Sequence, residues 1–142
     1  MNSQLPTTRA DIVERLKEAG VTPTQQRVEI AQLLFARHQH VSAEQVLAMV
    51  NAQTALVSKA TVYNTLGLFA NKGLLREVIV DPTKVFYDSN ISEHHHFYNV
   101  DSGELMDIQG EALRLANLPE LPEGTRTEGV DVIIRIRPST SQ

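Results

Sequence analysis

The 142-residue chain contains no cysteine. Without thiols it can form no disulfide, no thiolate zinc site and no thiol redox switch. Any bound metal must therefore be held by nitrogen and oxygen ligands. Histidine, aspartate and glutamate are the candidate ligand types.

The chain also lacks a long apolar run. Its first residues, MNSQLPTTRADIVERL, show no basic flank followed by an apolar stretch, and no later segment approaches the length of a membrane span. We therefore expect a cytoplasmic protein with no membrane partner. With 42% hydrophobic residues, the chain can bury the core of one domain or of two small ones.

The charges are unevenly distributed along the chain. Residues 1–80 carry eight Lys/Arg and six Asp/Glu, whereas residues 81–142 carry five and eleven. A mildly basic front and an acidic back suit a DNA-binding part joined to a cation-binding part. Ordinary solvated surface explains the charges alone about as well.

The first half of the chain predicts four helices. Apolar residues recur there at helical spacing, and each run follows a side chain that can cap a helix. Gly20 and Gly73 are expected to end the first and fourth helices, with Pro23 in the first turn of the second. The predicted N-caps are Thr8, Thr22, Ser42 and Ser58.

Two β-rich runs flank the sequence DPTK at residues 81–84, which is typical of a hairpin. Helices followed by a two-stranded wing predict a winged helix-turn-helix, whose last helix enters the DNA major groove. The pattern is also typical of a small α+β domain with a solvated polar face. The outward side chains expected to contact phosphates and base edges are Lys59, Thr61, Tyr63, Asn64 and Thr65.

The pattern changes at residue 94. Short strands are predicted at HHHFYNV, ELMDI and VDVIIRIR, with a short helix at GEALRLAN. Such a thin unit would be stabilised by dimerisation. The predicted fold class is α+β: a winged helix-turn-helix domain (1–88), a hinge (89–93), a small α/β dimerisation and metal-sensing domain (94–137) and a tail (138–142).

All five histidines fall into two clusters, HQH at 38–40 and HHH at 94–96. On a strand, His94 and His96 point to one side and His95 to the other. With nearby aspartates, the alternate pair predicts a mixed nitrogen and oxygen site for Fe²⁺, Mn²⁺ or Zn²⁺. An exposed strand edge is the alternative interpretation. The candidate ligands are His40, Asp88, His94, His96 and Asp107.

Five segments together resemble the ferric uptake regulator (Fur) family of metal-dependent transcription factors. In chain order they are TPTQQR, HVSAEQV, SKATVYNTL, KVFYD and HHHFYNVDSGELMDI. The unbroken HHH, the pair Tyr63 and Asn64, and the LPEG and VIIRIR segments are most similar to the iron response regulator (Irr) branch, known for sensing haem. The resemblance implies a regulator of iron-homeostasis genes rather than an enzyme.

The resemblance also assigns roles to individual residues. The same five candidate ligands would bind the regulatory metal, while Tyr63 would contact bases and Arg27 a phosphate. We expect a homodimeric repressor on a palindromic, AT-rich DNA duplex. The Irr likeness further implies haem binding through His94, His95 and His96.

The chain departs from the family pattern at three places. Asn99 and Ser102 stand where most members carry the first CxxC pair, and no second pair exists, so no structural zinc held by four cysteines is expected. Thr22 stands where many members have a basic residue that reaches into the minor groove. A second family metal site would include the cationic Arg114, which disfavours it; its positions are Glu93, His95, Arg114 and Asp131.

Other functions use similar residues. A Mn, Fe, Zn or peroxide-stress sensor of the same family would not require haem. A metal hydrolase needs an open coordination position and a general base, and no HExxH motif is present. A metal-storage or chaperone role gives no reason for a winged helix.

Overall fold

A computed structural model describes residues 8–53 and 57–139 of the chain. They form two compact units that divide between Ile91 and Ser92, inside the predicted hinge. Ser89 lies in the first unit. Its amide donates to the carbonyl of Gln39 at 2.9 Å, and its hydroxyl lies 3.0 Å from the carbonyl of Arg37.

The first unit contains the four predicted helices: α1 (Arg9–Glu18), α2 (Gln25–Leu34), α3 (Ala43–Gln53) and α4 (Lys59–Asn71). Thr8 and Ser58 cap α1 and α4 by accepting from Asp11 N and Thr61 N. Ser42 and Gln45 form a reciprocal capping box before α3, with bonds of 2.8 and 3.2 Å. Among the described residues, no helix is long and apolar enough to cross a bilayer.

The predicted start of α2 was wrong by two residues. Thr24, not Thr22, is the N-cap, because its hydroxyl accepts from Arg27 N at 3.3 Å. Pro23 therefore precedes the helix instead of occupying its first turn. Thr22 has another role, since its carbonyl accepts from Nη1 of Arg27 at 2.9 Å.

The wing is a three-stranded antiparallel sheet in the order β1-β3-β2. Its strands are β1 (His40–Val41), β2 (Arg76–Asp81) and β3 (Lys84–Asp88). The predicted hairpin corresponds to β2 and β3, which are confirmed. The sequence pattern did not predict β1, because two residues are too short to show strand periodicity.

The helices of the first unit enclose a common apolar core. The inward face of α4 follows helical spacing, so Thr65 is only 4% exposed between the turns that carry Val62 and Phe69. The expectation that Thr65 faces outward was therefore wrong. The fully buried side chains of this core include Ile12, Leu16, Val28, Ile30, Leu34, Val46, Val50, Val62, Leu66 and Phe69.

The second unit is a three-stranded sheet in the order β5-β4-β6. Its strands are β4 (His96–Asn99), β5 (Leu105–Asp107) and β6 (Ile133–Ile136), confirming the three strands predicted there. β4 pairs antiparallel with β5 and parallel with β6. The turn between β4 and β5 requires a positive φ of 78° at Gly103, which glycine adopts readily.

The helix predicted at GEALRLAN was wrong. Only a 3₁₀ turn, Gly110–Ala112, forms there, and Leu113 already has the extended angles φ −137° and ψ 129°. Gln109 supplies no side-chain cap, and glycine is a poor residue to begin a helix. Leu115 is exposed, so burial within this unit does not compensate.

Truncation in the first-unit core should destabilise the protein strongly. Ile12 is 1% exposed, and Ile12→Ala is expected to lower the free energy of unfolding by about 2–5 kcal/mol by leaving a cavity. The matched control is Ile79→Ala, because Ile79 is 52% exposed on β2. Ile79→Ala should lower the free energy of unfolding by about 1 kcal/mol or less, because strand propensities differ by about this amount between residue types. Equal costs in urea unfolding would contradict the assigned core.

Candidate metal centre and DNA-reading face

Two histidines and one aspartate converge in the second unit. The antiparallel register of β4 and β5 places His96 directly opposite Asp107. Nε2 of His96 lies 3.3 Å from Oδ1 of Asp107, and Nε2 of His94 lies 3.5 Å from the same oxygen. The structure therefore brings three of the five predicted ligands together within one unit.

His94 reaches this cluster from outside the strand, since β4 begins only at His96. Its Nδ1 lies 2.6 Å from the carbonyl of Ser92. In the tautomer with the proton on Nδ1, that contact is a hydrogen bond and Nε2 keeps its lone pair for a ligand. An imidazole oriented by a backbone carbonyl is the usual arrangement of a metal-binding histidine.

The cluster has the donor set and spacing of a divalent-metal site. The ligand atoms of His94, His96 and Asp107 lie within 4.8 Å of one another. His96 is fully buried and the Asp107 side chain is 50% exposed, so the site lies at the surface of the unit. Two imidazole nitrogens and a carboxylate oxygen suit Fe²⁺, Mn²⁺ or Zn²⁺, and the residues present fit such an ion.

The other two predicted ligands are neighbours in the first unit. The antiparallel register of β1 and β3 places His40 opposite Asp88. Asp88 is buried, and its Oδ1 accepts from the amide of Asn90 at 2.9 Å. The unpredicted strand β1 is thus the element that positions His40.

His95 is turned away from its two neighbours. Its Nδ1 accepts from the amide of Val132 at 3.0 Å, which ties the triplet to the chain just before β6. His95 also lines a cavity of about 230 Å³ with Glu93, His94, Ile108 and Leu113. The three histidines therefore do not form one cluster.

Hydrogen bonds organise the turn between β4 and β5, which contains Asn99 and Ser102. Oδ1 of Asn99 accepts from the amides of Asp101 and Ser102 at 2.9 and 3.0 Å. The hydroxyl of Ser102 accepts from the amide of Glu104 at 3.2 Å. Asn99 and Ser102, the positions at which the resemblance leads one to expect cysteines, thus close this turn by polar contacts.

Three of the predicted DNA-binding side chains are exposed on α4: Lys59, Tyr63 and Asn64. Nζ of Lys59 lies 5.6 Å from the centre of the Tyr63 ring. Thr61 is half-buried, and its Oγ1 lies 3.0 Å from Oγ of the capping Ser58. Arg27, also half-buried, directs Nη1 to the loop carbonyl of Thr22.

Sequence reasoning missed Glu44, in the first turn of α3. Its Oε2 accepts from the Tyr63 hydroxyl at 2.5 Å. This hydrogen bond is the main cause that lowers the pKa of Glu44 and raises the pKa of Tyr63. Sequence spacing gives no signal for this contact, because Glu44 and Tyr63 lie 19 positions apart on different helices.

Comparison with known proteins identifies the family. The model of the ferric uptake regulator family matches residues 18–132. The chain belongs to the ferric uptake regulator family. Members of this family are DNA-binding dimers that regulate transcription and are not enzymes. Their structures have an N-terminal DNA-binding domain and a C-terminal dimerisation domain, in agreement with the predicted fold class.

Individual relatives are more distant. The peroxide-responsive repressor PerR of Staphylococcus aureus strain USA300 is 29% identical over 97 residues, which span 68% of this chain and 66% of the repressor. The match thus covers just under two thirds of that relative. The ferric uptake regulator of Pseudomonas aeruginosa with manganese is 26% identical, with a TM-score of 0.66 over 89% of this chain and 97% of that one. The Vibrio cholerae ferric uptake regulator is 20% identical with a TM-score of 0.68, covering 89% and 98%, and shows the shared fold alone.

The cluster predicts selective loss of metal affinity. His96→Ala should weaken Mn²⁺ binding at least about tenfold, because it removes a buried imidazole ligand. His38→Ala is the control, since His38 is exposed and outside the predicted ligand set. Titration calorimetry measures both. Equal Mn²⁺ affinity of the two variants would contradict the assigned site.

Proposed function

We propose that this chain is a metal-responsive, dimeric repressor of iron-homeostasis genes that binds a palindromic, AT-rich operator. The observation that carries the proposal is the convergence of His94, His96 and Asp107 in a unit separate from the winged helix. A sensing unit and a DNA-reading unit within one chain are the parts that a ligand-controlled regulator needs. The manganese of the Pseudomonas relative supports a divalent ion as the signal.

We assign the regulatory ligands to both units. His94, His96 and Asp107 form one set, and His40 and Asp88 form the other. Asp88 precedes His94 by only six residues in the sequence. A bound divalent cation supplies positive charge that both sets can share.

Sharing one ion would couple the sensing unit to the DNA-reading unit. In this proposal, like charges on Asp88 and Asp107 and the predicted hinge, residues 89–93, leave the angle between the units unselected until an ion binds. Ligands from both units that hold one ion select one angle. In a dimer, that choice sets the separation of the two α4 helices, which must match the spacing of the operator half-sites.

Dimerisation is assigned to the second unit. In the described part of that unit, β6 lies at the edge of the sheet, beside β4 only. Exposed apolar side chains accompany this edge strand and the segment before it: Leu118, Leu121 and Ile134. An edge strand with apolar neighbours suits pairing with a second copy of the chain.

DNA binding by the wild-type dimer should depend on the metal. Saturating Mn²⁺ is expected to tighten operator binding about 5–150-fold, the usual range of such coupling, and operator DNA should tighten Mn²⁺ binding equally. Asp107→Ala should abolish this response and leave the dimer and its metal-free DNA affinity unchanged. Fluorescence anisotropy with a selected duplex measures the response.

Two results would contradict different parts of the proposal. A dimer that prefers no duplex over random DNA, with any of the three ions added, would contradict the regulatory function. If Asp107→Ala keeps the full Mn²⁺ response, the function stands and the assignment of the shared ligands is wrong.

Haem sensing, the property of the Irr branch, is a second candidate. The cavity that His95 lines supports it, but haem ligation by His95 would require the hydrogen bond from the Val132 amide to His95 Nδ1 to break, because that bond leaves the proton on Nε2. Histidine is a competent axial ligand of haem iron. The relationship to a peroxide-responsive repressor favours the alternative, a Mn, Fe or Zn sensor without haem.

An absorption titration separates the two candidates. If the chain senses haem through the triplet, haemin should give a shifted Soret band that is lost in His95→Ala and in the triple alanine variant of residues 94–96. His38→Ala should retain it. A band that persists unchanged in the triple variant would contradict haem binding at the triplet.

A further inference from the structure

The two helices of the helix-turn-helix, α3 and α4, are joined on their exposed side by a side-chain contact. The Tyr63 phenol donates its proton to Oε2 of Glu44 at 2.5 Å, near the short end of the range for such bonds. Both residues are exposed, and Tyr63 is 36% accessible. The tyrosine expected to face the bases is therefore already hydrogen-bonded before DNA arrives.

The direction of this hydrogen bond is fixed. A carboxylate has no proton to donate, so the phenol must be the donor. The hydrogen bond lowers the pKa of Glu44 and raises the pKa of Tyr63, which keeps the carboxylate charged and the phenol protonated near neutral pH. The positive charges of Lys59 and Lys84 also lower the pKa of Glu44.

Local structure holds Glu44 in place. It lies in the first turn of α3, where the capping box of Ser42 and Gln45 fixes the helix start and the helix dipole favours a negative charge. Val46 of α3 and Val62 of α4 are buried in the same core. The contact is thus built into the packed helix pair.

The phenol of Tyr63 has one hydroxyl proton, and it donates this proton to Glu44. The oxygen of Tyr63 can then only accept a hydrogen bond from a base. In the major groove, adenine N6 and cytosine N4 are donors, whereas thymine O4 and guanine O6 are acceptors. A tyrosine held in this way distinguishes bases that present a hydrogen-bond donor in the major groove from bases that present an acceptor.

We propose that Glu44 is a specificity-determining residue that makes Tyr63 a hydrogen-bond acceptor, so that α4 selects a base with an exocyclic amino group, adenine or cytosine. This inference rests on the proposed DNA-binding function and adds a residue that acts through Tyr63. Lys59, 5.6 Å from the Tyr63 ring centre, offsets the repulsion between the Glu44 carboxylate and nearby phosphates.

Selection of duplexes from a random pool by Mn²⁺-loaded protein tests the proposal. The wild type should prefer an amino base over a keto base at one position in each half-site, by about tenfold. Tyr63→Phe should lose this preference. Glu44→Ala should reduce it similarly, because the freed phenol can then donate to keto oxygens, and the double variant should be no worse than Tyr63→Phe.

Conservative and control variants separate specificity from stability and net charge. Glu44→Gln retains an acceptor oxygen and should keep most of the preference, even if Glu44→Ala folds poorly. Glu14→Ala removes an equal charge from the exposed side of α1 and should leave the base preference unchanged. Circular dichroism verifies the fold of each variant.

Three outcomes would overturn the inference. One is a base preference that is the same in wild type, Glu44→Ala and Tyr63→Phe, even if overall affinity changes. Another is selection of thymine or guanine at the position affected by Tyr63→Phe. A wild-type dimer with no preference for any duplex would overturn the proposed function itself, and this inference with it.

Discussion

The antiparallel register of β4 and β5 is the constraint on which the candidate metal centre depends. It sets His96 opposite Asp107 and directs both side chains to one side of the sheet. If β4 shifted by one residue relative to β5, the His96 imidazole would lie on the other face of the sheet, and Asp107 would lose its histidine neighbour. Since the chain has no cysteine, the site can offer only nitrogen and oxygen ligands.

The same device occurs in the first unit, where β1 and β3 set His40 opposite Asp88. In both units, a histidine and an aspartate distant in sequence become neighbours through strand pairing. Such ligand pairs lose little conformational entropy on metal binding, because the sheet has already ordered their backbones. This prior ordering favours metal binding by the residues of the candidate site.

Sequence periodicity predicted the elements that bury a regular stripe of apolar side chains. It failed where contacts with other parts of the chain determine the local structure. The helices and the hairpin have clear caps and turn residues, and they form as expected. The start of α2 was misplaced because threonine at position 22 or 24 can cap a helix, and only the hydrogen bond from Arg27 N to the Thr24 hydroxyl distinguishes the two positions. The helix predicted at GEALRLAN did not form, because most helices in proteins depend on packing against a partner surface, which a short segment of sequence cannot show.

The candidate site was also predictable only in part. Alternation along a strand correctly separated His95 from His94 and His96, although His94 proved to lie before β4. The link between Glu44 and Tyr63 was not predictable, because it joins residues 19 positions apart on different helices. Sequence spacing describes one helix at a time, whereas this contact depends on how two helices cross.

The parallel pairing of β4 with β6 has a consequence for the order of folding. It joins His96 to Ile133, so the second sheet cannot close until a long intervening segment has been synthesised. The first unit closes entirely within residues before that point, and its helices make mostly local contacts. On the ribosome, the first unit can therefore fold while the second sheet is still incomplete. A newly made winged helix can thus form before the sheet that carries His96 and Asp107.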